Sequence, residues 1–276
     1  MPLYQAIVLG IVQGFSEFLP ISSSGHLILT RWVFGWDPPG DESVAKAFDV
    51  ALHLGTLIAV VGYFRRDLWS YVREGIRLLW HRERPVNSDG RIAWLLVVAT
   101  VPAALVGAVF EDWIDEELGT PTIIAISFIV FALLLWWADR NPGRRPVGEF
   151  RLRDALIVGA AQTLALSPGT SRSGITVTAA RQIGFGRDAA ARISFLLSVP
   201  VTFGAIVLKV GGLFVDGVPD GLVWPLVVGV ITSAVAGWIA VWGTLAWVRR
   251  RSFMPFVIYR IALGVSILVV VAAGWR

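Results

Sequence analysis

Cysteine is absent from the 276 residues, which excludes disulfides, thiolate chemistry and a cysteine-ligated metal. Charge is scarce: Asp, Glu, Lys and Arg make up 16% of the chain, where a soluble domain carries about a quarter. Histidine occurs three times, as His26, His53 and His81. The N-terminus lacks a basic leader, and the polar stretch Gln13 to Glu17 interrupts any apolar run behind it. A cleavable signal peptide is therefore not expected, and the first segment is expected to be retained. What is abundant is apolar: 55% of residues and a mean hydropathy of +0.68, the composition of an integral membrane protein. The net charge of +4 does not point to nucleic acid, because the basic residues sit in short loops between apolar runs.

Runs long enough to cross a bilayer, which takes about 20 apolar residues, lie at 47–64, 92–111, 121–138, 193–211, 222–248 and 256–275. The connections alternate in sign. The 65–91 loop carries seven arginines, 139–154 carries five and 249–251 is Arg-Arg-Arg, whereas 111–120 holds five acidic residues and 213–221 holds Asp216 and Asp220. The positive-inside rule places 65–91, 139–154 and 249–255 in the cytoplasm and the acidic loops outside. With those assignments, residues 1–45 must begin and end outside, and 155–192 must begin and end inside. Each stretch then enters the membrane and turns back. The predicted fold is an all-α integral membrane protein of six full transmembrane helices plus two re-entrant helical hairpins. It forms a single membrane domain with inverted-topology halves, 1–138 and 155–276, joined by a cytoplasmic linker at 139–154. Such repeats place their working site near the midplane, where broken helices meet. The 68–81 stretch has an amphipathic pattern suited to the cytoplasmic interface.

The two re-entrant stretches are also copies of each other. At a constant offset Gly10 aligns with Gly159, Gln13 with Gln162, Ser22 with Ser171, Ser24 with Ser173 and Gly25 with Gly174. Each has a residue that stops a helix, then a run of hydroxyls and flexible backbone. Successive N–H groups and hydroxyls at a helix start hold phosphate oxygens well. Irregular backbone is tolerated at membrane depth only where it lines a cavity or is buried in protein.

Gln13 and Glu17 are spaced i, i+4 and share a helix face. A carboxylate inside a membrane segment marks function by default; Glu17 suits a hard cation or a base, and Gln13 offers such a cation only a neutral carbonyl oxygen. The bland alternative for Glu17 is an end-of-helix residue reaching the interface. Ser24 has a simple structural reading as the N-cap of a helix through 26–34. His26, beside a Ser-Gly pair, suits acid/base work. His53, four residues after Asp49, makes a second polar pair expected to support the site or to pack, and His81 is expected to be a bystander. Arg172, amid the hydroxyls of 168–174, is too costly to be filler, and its planar fork fits phosphate; the bland alternative is an arginine paired with a structural carboxylate. Lys209 and Arg260, near span ends, read as residues reaching out to the interface.

These residues resemble the undecaprenyl-diphosphatase family, the bacitracin-resistance-type membrane phosphatases. Gln13 to Glu17 matches the family's (E/Q)xxxE element, Leu19 to His26 its LPISSSGH run, and Pro168 to Thr176 its PGxSRSxxT element. The resemblance implies removal of the terminal phosphate from undecaprenyl diphosphate, which recycles the monophosphate lipid carrier for cell-wall synthesis and confers bacitracin resistance. It implies a divalent cation, Mg2+ or Ca2+, and a multi-pass place in the bacterial cytoplasmic membrane with the active site facing outward. Carried over by position, Glu17 with Gln13 takes the metal or general-base role, Ser23 the nucleophile, His26 acid/base work and Arg172 the phosphate clamp. Ser22, Ser24, Gly25, Ser171, Ser173 and Thr176 are substrate-binding donors. Many relatives have Glu where this chain has Gln13, so the site has one carboxylate fewer. The partners implied are the polyprenyl lipid and the bilayer, with no nucleic acid; a homodimer is compatible with the chain.

The rival class is a lipid-phosphate transporter or flippase, since inverted repeats with broken helices typify secondary transporters. A transporter releases its ligand intact and has no need of Ser, His, Glu and Arg around one phosphate. Acid-phosphatase-like lipid phosphatases share an SGH triplet but require a histidine after the Ser-Arg pair, and none follows Arg172.

Overall fold

The computed structural model describes residues 1–37, 42–81, 89–209 and 221–274. Asp216, Asp220, Arg82 and Arg84 lie outside the described residues, as do the side chains of His81, Lys209, Glu111, Asp112, Asp115 and Glu116. Among the described residues the chain is helical, with one isolated β-bridge between Arg145 and Phe185. The helices are α1 (Leu3–Phe18), α2 (Ser23–Phe34), α3 (Glu42–Tyr63), α4 (Arg65–His81), α5 (Asp89–Leu118) and α6 (Pro121–Asp139). They continue as α7 (Leu152–Thr163), α8 (Arg172–Gln182), α9 (Arg187–Lys209), α10 (Val223–Val248) and α11 (Met254–Ala272).

Five of these, α5, α6, α9, α10 and α11, are long and apolar enough to cross a membrane. The expected sixth span, at 47–64, corresponds to α3, whose stretch Phe48–Tyr63 is apolar enough to cross together with α4, bent away by 83° at Phe64. The expected 92–111 span is the middle of the longer α5, whose helical geometry breaks at Phe110. The amphipathic 68–81 stretch is α4, and it exposes Trp69, Val72, Ile76, Leu79 and Trp80, which recur at helical spacing and so share one apolar stripe. Exposed apolar side chains also cover the spans, among them Leu105, Val207, Trp224, Ile231 and Trp242. So much bare hydrocarbon suits a lipid environment and no other, and the chain is a multi-pass membrane protein.

Two helix pairs are too short to span. At 1.5 Å per residue α1 reaches about 24 Å, and α2, α7 and α8 about 16–18 Å, against about 30 Å of hydrocarbon. Within each pair the helices pack on each other, α1 on α2 and α7 on α8. Each pair also leans on a long helix from the far half of the chain: α1 lies along α10, and α7 along α5. These approaches are close because the contact residues are small. A Cβ added at Gly10 would stand 2.5 Å from the Gly229 carbonyl oxygen, and one at Gly159 would stand 2.6 Å from that of Ala99. The long helices pair likewise, α3 with α10, α9 with α5, and α6 with α11.

The 139–154 connection is tied down rather than loose. Arg145 N–H donates to the Gly184 carbonyl at 3.0 Å and Gly186 N–H to the Arg145 carbonyl at 3.1 Å. The Arg145 guanidinium reaches the Asp154 carboxylate at 2.6 Å.

Candidate active site

The turn after α1 and the turn before α8 meet at the centre of the fold. Both start their second helix the same way. Ser22 (φ 77°) and Ser171 (φ 74°) are the two non-glycine residues with positive φ among the described residues, and each occupies the N-cap position, ahead of α2 and α8. Such backbone costs on the order of 1–3 kcal/mol per residue and persists only where the surroundings enforce it. The N-cap of α2 is therefore Ser22, not Ser24: the helix begins three residues earlier than its apolar pattern shows. The turns are laced together across the chain. Gly169 N–H donates to Ser22 Oγ at 3.1 Å, and Ser173 Oγ donates to the Leu19 carbonyl at 3.0 Å. Ser171 Oγ accepts the Gly174 N–H at 3.0 Å, and Ser24 stays within 3.5 Å of Ser22 Oγ.

At this junction Glu17, 7% exposed, gathers four groups. Its Oε1 accepts Arg172 Nη2 at 2.6 Å. Its Oε2 accepts Ser23 Oγ at 2.5 Å and Gln13 Nε2 at 3.1 Å, and lies 3.5 Å from His53 Nε2. The i, i+4 spacing of Gln13 and Glu17 thus yields the shared face it promises. Arg172, from the other turn, is fixed by a second bond from Nη1 to the Ser194 carbonyl at 2.9 Å. Thr176 Oγ1 donates to Ser194 Oγ at 2.7 Å, so Thr176 supports the α8–α9 packing behind Arg172.

His26 is placed differently. Its Nδ1 is 2.6 Å from the Ser22 carbonyl and its Nε2 is 2.8 Å from the Tyr259 hydroxyl, with the Tyr259 ring nearly parallel to it. None of the described hydrogen bonds joins His26 to Glu17, Ser23 or Arg172. Gly25 packs under it: a Cβ there would meet the Phe128 ring at 3.0 Å. His53 instead reaches the cluster, but not through a pair with the Asp49 side chain. The Asp49 carboxylate is held by the forked guanidinium of Arg31, and His53 Nδ1 lies 2.8 Å from the Asp49 backbone carbonyl.

Arg260 is the largest departure from the sequence expectation. It does not reach the interface; its side chain is fully buried at 0% exposure. Nη1 donates to the Pro20 carbonyl at 3.2 Å, and Nη2 to those of Gly169 at 2.8 Å, Thr170 at 3.0 Å and Ser127 at 3.3 Å. One guanidinium therefore ties both turns to α6. The signal that finds it is the one applied to Arg172: an arginine within an apolar span is expensive and needs partners.

A divalent cation would find hard oxygen donors in Glu17 and in Gln13 Oε1, which is buried without a hydrogen-bond partner. Among the described residues no three His, Asp or Glu side chains stand together as a ready-made metal cage. The donor set fits the habit of Mg2+, which takes one or two carboxylates and completes its shell from water and substrate phosphate.

Comparison with known proteins shows the family. The family described as "Bacitracin resistance protein BacA" matches residues 6–266. The chain is 47% identical over 270 residues to a protein of Geobacter sulfurreducens named undecaprenyl-diphosphatase, covering 97% of this chain and 98% of the relative. Proteins with the same name from Desulforudis audaxviator and Moorella thermoacetica are each 46% identical, over 268 residues (97% of both chains) and 271 residues (98% of both chains). With the family pattern and these relatives running almost end to end, the chain belongs to the BacA bacitracin-resistance family.

Proposed function

We propose that the protein hydrolyses undecaprenyl diphosphate to undecaprenyl phosphate and inorganic phosphate in the bacterial cytoplasmic membrane, and so recycles the carrier lipid. The observation that carries this reading is the Glu17 carboxylate held between Ser23 of one turn and Arg172 of the other. A nucleophile bonded to a base, beside a forked cation, is a constellation for phosphoryl transfer. A flippase needs to bind and release a phosphate but gains nothing from a hydroxyl hydrogen-bonded to a carboxylate at 2.5 Å.

In this reading the terminal phosphate enters between the starts of α2 and α8. The backbone N–H groups there, with the hydroxyls of Ser22, Ser24 and Ser171, cradle its oxygens, while Ser173, which donates to the Leu19 carbonyl, holds the turns together. Arg172 offsets the charge that builds on the non-bridging oxygens. Ser23 Oγ attacks phosphorus in line and passes its proton to Glu17, while the lipid monophosphate leaves and takes up a proton. Water then hydrolyses the phosphoserine; alternatively, water activated by Glu17 attacks directly and Ser23 only orients the phosphate. The family motif assigns proton relay to His26, and the geometry adds His53, whose Nε2 faces Glu17. Glu17 and Gln13 Oε1 would hold a Mg2+ or Ca2+ ion, whose chemistry is Lewis-acid neutralisation of phosphate oxygens.

The same reading includes the inverted repeat. The two strained serines, the matched short helix pairs and the exchange of partners, α1 on α10 and α7 on α5, support two re-entrant hairpins of opposite orientation. The loop charges support an active site open to the extracytoplasmic side.

The decisive experiment is phosphate release from a C55 diphosphate by the purified protein, with and without chelator. Turnover that chelation abolishes and Mg2+ or Ca2+ restores is expected. Intact lipid diphosphate after prolonged incubation with metal present would refute the hydrolase reading in favour of transport.

A further inference from the structure

The arginines at the far end of the molecule do more than mark its orientation. A cleft of about 670 Å³ opens between the end of α6, the α8–α9 turn and the end of α10. It is lined by seven arginines and two aspartates, a formal charge of +5. The arginines divide into two sets. Those forming the frame are tied down: Arg187 pairs with Asp139 at 2.6 Å, Arg249 with Asp188 at 2.8 Å and Arg145 with Asp154 at 2.6 Å. Arg181, 3% exposed, donates to the carbonyls of Gly143, Phe185, Asp139 and Asn141. These contacts fix the shape of the cleft, as does Gly143 pressed against Gly184, where an added Cβ would stand 2.3 Å from the Gly184 carbonyl oxygen.

The second set is uncommitted. Arg144 and Arg250 are exposed, and their guanidinium groups have no carboxylate or carbonyl partner among the described residues. Arg140 lies with its guanidinium 3.6 Å from the centre of the Trp136 ring, held in place with no hydrogen-bond acceptor on the guanidinium among the described residues. Orientation by loop charge needs only that arginines be present on one side. It does not need three unpaired guanidinium groups around one rigid, preformed cleft, where mutual repulsion opposes their gathering.

We propose that this cleft binds the phosphate of an anionic ligand, with Arg140, Arg144 and Arg250 as the residues that contact it. Two sources share that chemistry: the headgroup of an anionic phospholipid and free inorganic phosphate. The position favours the lipid. The cleft sits where α6 and α10 leave the apolar zone, with Trp137 and Trp247 exposed beside it, the depth at which aromatic residues meet headgroups. Basic pockets at this depth between spanning helices bind anionic headgroups. The cleft takes its Arg181 from the opposite end of α8 to Arg172, and binding there does not depend on the reaction assigned to Glu17, Ser23 and Arg172.

The test is lipid retention by the purified full-length protein, measured by native mass spectrometry with phosphatidylglycerol and with phosphatidylcholine, and repeated with millimolar inorganic phosphate. Phosphatidylglycerol should be retained preferentially. The Arg140→Ala/Arg144→Ala/Arg250→Ala variant should weaken that retention by about fivefold per arginine, roughly 10²-fold together. Arg153→Ala removes an exposed arginine outside the cleft and should change little, which separates a site from general surface charge. If phosphate binds the wild type but not the triple variant while the two lipids are retained alike, the ligand is free phosphate and the site stands. Equal retention of both lipids without phosphate binding, or equal loss in the triple variant and in Arg153→Ala, overturns the proposal.

Discussion

Replacing Arg260 by methionine tests how the two turns are held. Methionine keeps much of the volume and removes the guanidinium. Four carbonyl contacts are lost, three of them on turn residues Pro20, Gly169 and Thr170 that lie outside helices. A buried carbonyl left without a donor costs about 1–3 kcal/mol, so the three turn carbonyls together represent roughly 3–9 kcal/mol. Against this stands the relief of no longer burying a charge, several kcal/mol in proteins. The net loss should fall near that of breaking other buried charged networks, about 3–5 kcal/mol, seen as a melting temperature lower by roughly 10 °C. Where the protein still folds, the turns lose their common anchor. A shift of about 1 Å at the Glu17–Arg172 pair is enough to lower turnover on the order of 10²-fold. Arg260→Lys should not rescue it, because one compact ammonium cannot reach Pro20 on one side and Gly169 with Thr170 on the other. Thermal unfolding in detergent and phosphate release on the same preparations measure both effects. An Arg260→Met protein with unchanged melting temperature and turnover would refute the role of this residue as the tie between turns.

Other outcomes follow from the same geometry. Arg172→Ala should lower phosphate release on the order of 10²–10³-fold, the usual loss for one charge-stabilising donor, and Arg172→Lys should recover little, since the fork to Glu17 and to Ser194 cannot be reproduced; full activity of the lysine variant would show that charge alone suffices. Ser23→Ala should be equally severe if Ser23 attacks phosphorus, with a phosphoserine trappable at position 23, and only about tenfold slower if it merely hydrogen-bonds the phosphate. His53→Gln and His26→Gln separate the two imidazoles: the one that relays protons should change the pH dependence of turnover, and the one that only positions its turn should lower the rate at every pH alike. Single cysteines placed in this cysteine-free chain should be labelled from outside at 111–120 and from inside at 139–154; labelling of 139–154 from outside would reverse the orientation.

The motif residues were legible because membrane physics makes them conspicuous. Glu17 and Arg172 stand out in apolar surroundings where charge is costly, and the offset between Ser22 and Ser171 links two stretches that the chain keeps far apart. The pairing of Gln13 with Glu17 needed only helical spacing. Arg260 and His53 were not legible to the same degree. Each has a plausible structural role, and the cost that flags Arg260 within an apolar span does not say whether its side chain reaches out to the interface or turns inward onto carbonyls 90 to 240 positions away.

Composition, loop charge and the two motifs by themselves determine a multi-pass helical membrane protein of this family, because hydrocarbon solvent admits few backbone arrangements and penalises every stray charge. Tertiary structure decided which groups actually meet. It brought His53 rather than His26 to within 3.5 Å of Glu17, turned Arg260 into the tie between the turns, and gathered the unpaired arginines around one cleft. Those outcomes depend on how helices from opposite halves pack, and side-chain direction across such a packing is set by contacts distant in sequence, not by any residue's neighbours along the chain.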